Sequence, residues 1–189
     1  LVLYLISKIK KNDKHFRRQE IRVKDFGKLI NFNGESLYGY LKGFEDTLLT
    51  RKVEIEKANG DRVKINWFSS TKYFNNEGIM EIAFNKDLSP YLLQIDTNYT
   101  RYYLDNVRAL KSFNSIRLYE LLKQYQKIGT RRIYLEELKS MMGMEGQYSA
   151  YHNFKRRVLE VAKKDINGNK DTDISFDFSE YKRGRKVIA

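Results

Sequence analysis

The sequence predicts an α+β chain of two tandem winged helices, each a helix-turn-helix followed by a β-hairpin wing. Three observations predict it: an element order of helix, strand, helix, turn, helix and hairpin in the second half, matching apolar spacings in the first half, and cations gathered around one glycine near residue 184. Of 189 residues, 41% are hydrophobic, enough to bury a core. Proline occurs once, at Pro90, and no Gly/Ser-rich linker is present, so the boundary falls inside structured sequence. The reading gives a first winged helix over 1–112 and a second over 113–189.

The second half shows the pattern best. SIRLYELLKQY (115–125) spaces Ile116, Leu118, Tyr119, Leu122 and Tyr125 as one helix face, with Ser115 as N-cap. After KIGTRR comes a β-prone IYL, then EELKSMMG, a second helix with Leu135, Leu138, Met141 and Met142 inward and Gly143 at its end. YSAYHNFKRRVLEVAKKDI (148–166) places Tyr151, Phe154, Val158, Leu159, Ala162 and Ile166 on one arc of a third helix. ISFDFSEY then alternates Ile174, Phe176 and Phe178 on one strand face, and YKRGRKV turns at Gly184.

The first half repeats this order. LVLYLISKI reads as a first helix lacking its start, so the chain reads as a fragment. Val23, Phe26, Leu29 and Ile30 copy the spacing of Leu135, Leu138, Met141 and Met142; Leu41, Phe44, Leu48 and Leu49 copy that of Tyr151, Phe154, Val158 and Leu159. KVEIEK, the turn Asn59-Gly60 and VKINWF form a hairpin, and IMEIAF (79–84) is read as one more strand of its sheet. Ser89-Pro90-Tyr91-Leu92 opens a short helix, with Ser capping and Pro in the first position.

Charge sets the partner class. Lys and Arg number 36 against 24 acids, a net charge of +12, which favours a polyanion. The absence of cysteine excludes disulfides, thiolate zinc sites and a cysteine nucleophile, and fits the cytoplasm. The apolar run that opens the chain has its cations on the wrong side for a signal peptide and is too short to span a bilayer. An anionic membrane is the weaker polyanion, because the apolar faces have core roles.

Enzyme chemistry has no visible seat. His15 and His152 are the two histidines and do not pair at metal-binding spacing, and His152 suits packing or a phosphate contact better than catalysis. A nicking relaxase would use one of the 14 tyrosines but needs a histidine pair that the chain lacks. Gly27-Lys28 stands alone, without a phosphate-cradling loop, and Glu136-Glu137 favour the positive end of their helix. No catalytic residue, metal or cofactor is predicted.

With the apolar arc inward, the N-terminal half of the third helix offers Ser149, Asn153, Arg156 and Arg157 to base edges. Lys163 and Lys164, a turn further on, suit phosphate or the negative helix end, while Lys155 lies toward the apolar side and is left out. Lys182, Arg183, Arg185 and Lys186 form a basic wing tip. In the first half Tyr38, Lys42 and Arg51 are the candidate DNA contacts, diluted by Glu45 and Asp46.

At SFNSIRLYELLKQY, YSAYHNFKRRVLEVAKKDIN and YKRGRKV, with WFSSTKYF and LSPYLLQI in the first half, the chain resembles plasmid replication initiators of the iteron-binding type, the Rep 3 or initiator RepB family. The resemblance implies two winged-helix domains, double-stranded DNA bearing origin direct repeats, host replication proteins as partners, a homodimer through the first domain, and autorepression. It also implies that helix Ser149 to Lys164 lies in the major groove at one end of an iteron, with the first domain at the other. A winged-helix repressor with no replication role is the alternative within DNA binders.

Overall fold

In the computed structural model, which describes residues 1–30, 32, 37–57, 59–74, 77–95 and 99–189, the chain packs as two units, Leu1–Tyr99 and Thr100–Ala189. The sequence reading puts the division after residue 112. Residues 100–112 instead pack with the second unit: Tyr102 donates to Glu120 at 2.6 Å, Asn106 to the Asp171 carbonyl at 3.0 Å, and the Lys111 N–H to Asp165 at 2.8 Å. Such long-range bonds leave no trace in apolar spacing.

In the first unit, α1 (Val2–Ser7) buries Leu5, and β1 (Gln19–Arg22) leads directly into α2 (Val23–Leu29). α3 (Leu37–Thr50) buries Leu37, Leu41 and Leu48, three positions on one helix face. Val23 and Phe26 are buried as expected, but Ile30 is exposed, because α2 stops at Leu29. Gly27 has a packing role: a Cβ there would lie 2.3 Å from the Leu37 Cδ2, so the glycine lets α3 approach α2 closely. Nothing is described of the side chains at 38, 40, 42 and 44, so the expectations for Tyr38, Lys42 and Phe44 lie outside the described residues.

β2 (Lys52–Glu56) and β3 (Arg62–Asn66) form the predicted hairpin, pairing Val53 with Ile65 and Ile55 with Val63. β5 (Ile79–Phe84) does not extend that sheet. It is the middle strand of a separate antiparallel sheet, between β1 and β4 (Phe68–Phe74). Its Met80, Ile82 and Phe84 face the core with Leu5, Ile21 and Phe26. A period of two reveals such a strand but not its partner, here β1 some sixty residues earlier, with Ile21 opposite Met80. The short helix α4 (Ser89–Leu92) has Pro90 in its first turn, yet Ser89 is not its cap; the Ser89 hydroxyl bonds back to the Lys86 carbonyl at 2.6 Å.

The second unit opens with α5 (Asp105–Arg108) and α6 (Phe113–Lys123). Ser112 caps α6, accepting the Ser115 N–H at 3.0 Å, while Ser115, the expected cap, is fully buried in the first turn. α7 (Leu135–Met141) follows, then one continuous helix over 151–167: α8 (Tyr151–Phe154), a π-helical turn (Lys155–Leu159) and α9 (Glu160–Asn167). Of the arc that the sequence predicts, Phe154, Val158, Leu159, Ala162 and Ile166 are buried and Tyr151 is half-buried. Fully burying a side chain of this size contributes about 1.5–3 kcal/mol.

β6 (Lys182–Arg183) and β7 (Lys186–Val187) are short, closed by Gly184 at φ 61 and Arg185. The predicted strand at 133–135 does not form, since α7 takes Leu135 and only Ile133 and Tyr134 precede it, and the predicted strand at 174–180 joins no ladder among the described residues. Ile174, Phe176 and Phe178 are half-buried with exposed neighbours between them, as period two requires. Side chains hold this segment instead: Asn167 takes both the Phe176 N–H and carbonyl, at 3.0 and 2.8 Å. The hairpin is fixed by Tyr181 N–H to the Ala189 carbonyl and Leu135 N–H to the Ile188 carbonyl, at 2.8 and 2.9 Å.

Beneath α6, the fully buried Tyr119 donates to Asp173 at 2.7 Å, and Lys123 pairs with the other oxygen of that carboxylate. Burial works against the charge on Asp173, but the Lys123 and Tyr119 bonds prevail and hold its carboxyl below the usual range. Such a group stabilises the fold fully above its unfolded pKa of about 3.9 and loses this contribution as pH falls through the folded value. Asp173→Asn should therefore lower the unfolding free energy at pH 7 by about 1 kcal/mol, given partial exposure, and flatten its decline between about pH 5 and 2. An unchanged decline across a pH series of urea melts would remove Asp173 from the acid sensitivity.

Candidate nucleic-acid interface

α7, the turn over 142–150 and the helix over 151–167 make the helix-turn-helix of the second unit. The turn is pinned from inside. Lys139 of α7 is 4% exposed, and its ammonium donates to the Tyr148 carbonyl at 3.2 Å and to Glu136 at 3.0 Å. The Met144 N–H closes on the Lys139 carbonyl at 2.8 Å, Met142 and Met144 are buried, and Ser140 donates to Glu145 at 2.8 Å. Tyr148 takes φ 53, a left-handed conformation that a tyrosine rarely adopts, and its ring meets Phe154 edge-on at 5.9 Å. The lysine bond therefore fixes the backbone just before the third helix begins.

That helix presents the predicted residues on its outer side. Ser149, Arg156, Arg157 and Lys164 are exposed and Asn153 is half-buried; the two arginines and Lys164 make no ion pair among the described residues. The π-helical turn, whose hydrogen bonds skip one residue further than in an α-helix, brings Val158 and Leu159 inward together while Arg156 and Arg157 both stay outside. Val161, 49% exposed, sits between Arg157 and Lys164 at helical spacing. It was not among the predicted contacts, yet it puts an apolar surface amid the cations, suited to a thymine methyl.

At the wing, Arg183, Arg185 and Lys186 are exposed without an ion pair among the described residues, and the Arg132 guanidinium stacks on the Tyr181 ring at 4.5 Å. Two predicted cations are engaged. Lys163 bonds Asp177 at 2.6 Å, and Lys182 pairs with Glu180 at 3.2 Å. Lys155, left out of the predicted readers, donates to the same Glu180 at 2.8 Å, so one carboxylate joins the helix to the wing. The Lys163 bond holds the Asp177 carboxyl below its ordinary range; the Lys155 bond, then the Lys182 bond, do so for Glu180.

The first unit carries charge differently. Arg51 is exposed just after α3, but the hairpin cations are matched by their own strands: Arg62 lies 3.9 Å from both Glu54 and Glu56, and Lys64 lies 3.4 Å from Glu54. The loop before β1 is basic as well, with Arg18 on Glu81 at 2.6 Å and Lys8 on the Glu20 carbonyl at 3.0 Å. His15, exposed there, and His152, exposed on the third helix of the other unit, fall in different units. Among the described residues no three histidine or carboxylate side chains gather as a metal site, and no helix is long and apolar enough to cross a membrane.

Comparison with known proteins matches this architecture. The family model described as "Initiator Replication protein, WH1" covers residues 1–123, and "Initiator Rep protein, WH2" covers 134–189. A "Replication initiation protein" of Escherichia coli is 29% identical over 165 residues, 85% of this chain and 50% of its own length. An "Uncharacterized 27.6 kDa protein" of the same organism is 31% identical over 115 residues, 59% of this chain and 47% of its own. The chain thus spans about half the length of the relatives it matches. A solved structure, "Crystal structure of Pi initiator protein in complex with iteron DNA", superposes with a TM-score of 0.80 at 22% identity over 99% of this chain and 86% of that one, which shows a shared fold.

Replacing Lys139 by Met should leave the Tyr148 carbonyl without its donor and cost about 1–3 kcal/mol in urea denaturation. Glu136→Gln, at a side chain 78% exposed, should change stability by less than about 1 kcal/mol. Equal effects of the two substitutions would show that the exposed pair, and not the carbonyl bond, holds the turn.

Proposed function

We propose that this chain, which belongs to the Initiator Replication protein family, binds directly repeated origin sites in double-stranded DNA and starts plasmid replication from them. The observation that carries this reading is the outward pair Arg156 and Arg157, exposed and without ion-pair partners among the described residues, on the third helix of a helix-turn-helix whose turn is rigidly fixed. Arginine makes two parallel bonds to the major-groove edge of guanine, and Asn153 suits adenine. Ser149 and Val161 add a hydroxyl and an apolar contact, while Lys164 and the wing residues Arg183, Arg185 and Lys186 supply phosphate contacts. Lys163 and Lys182, expected among the phosphate contacts, are held instead by Asp177 and Glu180.

The first unit contributes through α3 and Arg51, or by pairing with a second copy, and host replication proteins complete the assembly in the cytoplasm. The same contacts on the protein's own promoter give autorepression. A repressor without a replication role would use the same interface, so a plasmid whose maintenance requires its origin repeats and this protein separates the two. Loss of the protein with no loss of the plasmid would leave only the repressor.

Fluorescence anisotropy on an origin-repeat duplex and a scrambled duplex, over about 50–200 mM salt, tests the reading directly. Arg156→Ala and Arg157→Ala should each weaken the origin complex by about 1–3 kcal/mol and barely alter the scrambled one. Lys164→Ala should weaken both equally and reduce the salt slope by about 1. Equal affinity of the unaltered protein for the two duplexes would sink sequence-specific recognition.

A further inference from the structure

The cations of the second unit fall into two groups. Arg156, Arg157, Lys164, Arg183, Arg185 and Lys186 are unpaired among the described residues, whereas Lys155, Lys163 and Lys182 are each held by a carboxylate of segment 174–180. Asp177 takes Lys163 at 2.6 Å; Glu180 takes Lys155 with one oxygen at 2.8 Å and Lys182 with the other at 3.2 Å. The position of Glu180 is itself unusual. Ile174, Phe176 and Phe178 form the inward face of this extended segment, and Glu180 occupies the next inward place, with its side chain 21% exposed. Two ammonium groups meet the acid there, and the Tyr151 hydroxyl bonds it as well.

We propose that Asp177 and Glu180 determine specificity by withholding Lys155, Lys163 and Lys182 from DNA phosphates. The inference rests on the DNA-binding reading above and adds to it a role for two acids on a basic face. Phosphate contacts raise affinity for every sequence alike, whereas base contacts separate one sequence from another. Three neutralised lysines lower the first without touching the second. The bonds to the lysines keep both carboxyls below their ordinary range, so they stay charged throughout the neutral range. The Lys163–Asp177 pair is largely open to solvent, and such pairs add little to stability, which leaves its effect on binding as the larger one.

The test uses the whole chain, with Asp177→Asn and Glu180→Gln, on the origin-repeat and scrambled duplexes. Each lysine released to a phosphate steepens the plot of log affinity against log salt by about 0.9. Asp177→Asn, which frees one lysine, should steepen it by about 0.9, and Glu180→Gln, which frees two, by about 1.8. In both variants scrambled DNA should bind more tightly and the preference for the origin should fall. Adding Lys163→Met to Asp177→Asn should return the slope to its starting value.

Asp177 is 80% exposed, so its substitution leaves folding intact, and thermal melts check Glu180→Gln. Unchanged slopes in folded variants, or weaker binding to both duplexes, would overturn the withholding role and assign these pairs to holding the wing. If the unaltered chain bound neither duplex, the DNA-binding reading itself would fail; the unaltered arm keeps the two failures apart.

Discussion

The apolar arc of the helix over 151–167 has to be buried, and that constraint orients the rest of the second unit. Phe154, Val158, Ala162 and Ile166 are fully buried, and α9 packs against α6. Once that face is committed, Arg156, Arg157 and Lys164 have no direction left but outward. The interface is thus a by-product of core packing, and its precision depends on how firmly the core is built. Lys139 adds to that firmness from the other side, by fixing the turn from which the helix starts.

The parts that the sequence made legible are those governed by local periodicity. The arc Phe154 to Ile166 and the hairpin at 52–66 appear where spacing put them, because 3.6-residue and two-residue periods act within one element. What escaped depended on partners distant in sequence. β5 pairs with β1, Tyr102 with Glu120 and Asn106 with Asp171, and no spacing announces such a partner. Lys139 escaped for a further reason: in LEELKSM it looks like any solvated helix lysine, and only the fold reveals that its ammonium lies inside. The π-helical turn escaped as well, since a wheel drawn at one fixed angle cannot show where the helix widens.

The two units share an architecture and differ in how charge is distributed over it. In the first hairpin Arg62 and Lys64 meet Glu54 and Glu56 across the strands, so the wing is close to self-neutral. In the second, Arg183, Arg185 and Lys186 stand beyond the reach of any acid among the described residues. A fold of this kind does not fix a role; the placement of its charges does. The first unit, with an exposed Arg51 and a nearly neutral wing, offers fewer free cations than the second. The second suits a polyanion.

Net charge alone would misjudge this protein. A total of +12 says that a polyanion is favoured but not how strongly any one sequence is preferred. The decisive quantity is how many cations stand free on the face that meets the ligand, and that number is smaller than the composition implies. The strand segment over 174–180 makes the difference. With no ladder among the described residues to hold it, it is tied down by Asn167, Lys163 and Lys155, and the acids that tie it also cancel charge next to Arg156 and Arg157. The bonds that anchor the segment are therefore the same ones that neutralise its lysines. A conventional strand in their place would have kept the fold and left the interface more adhesive and less discriminating.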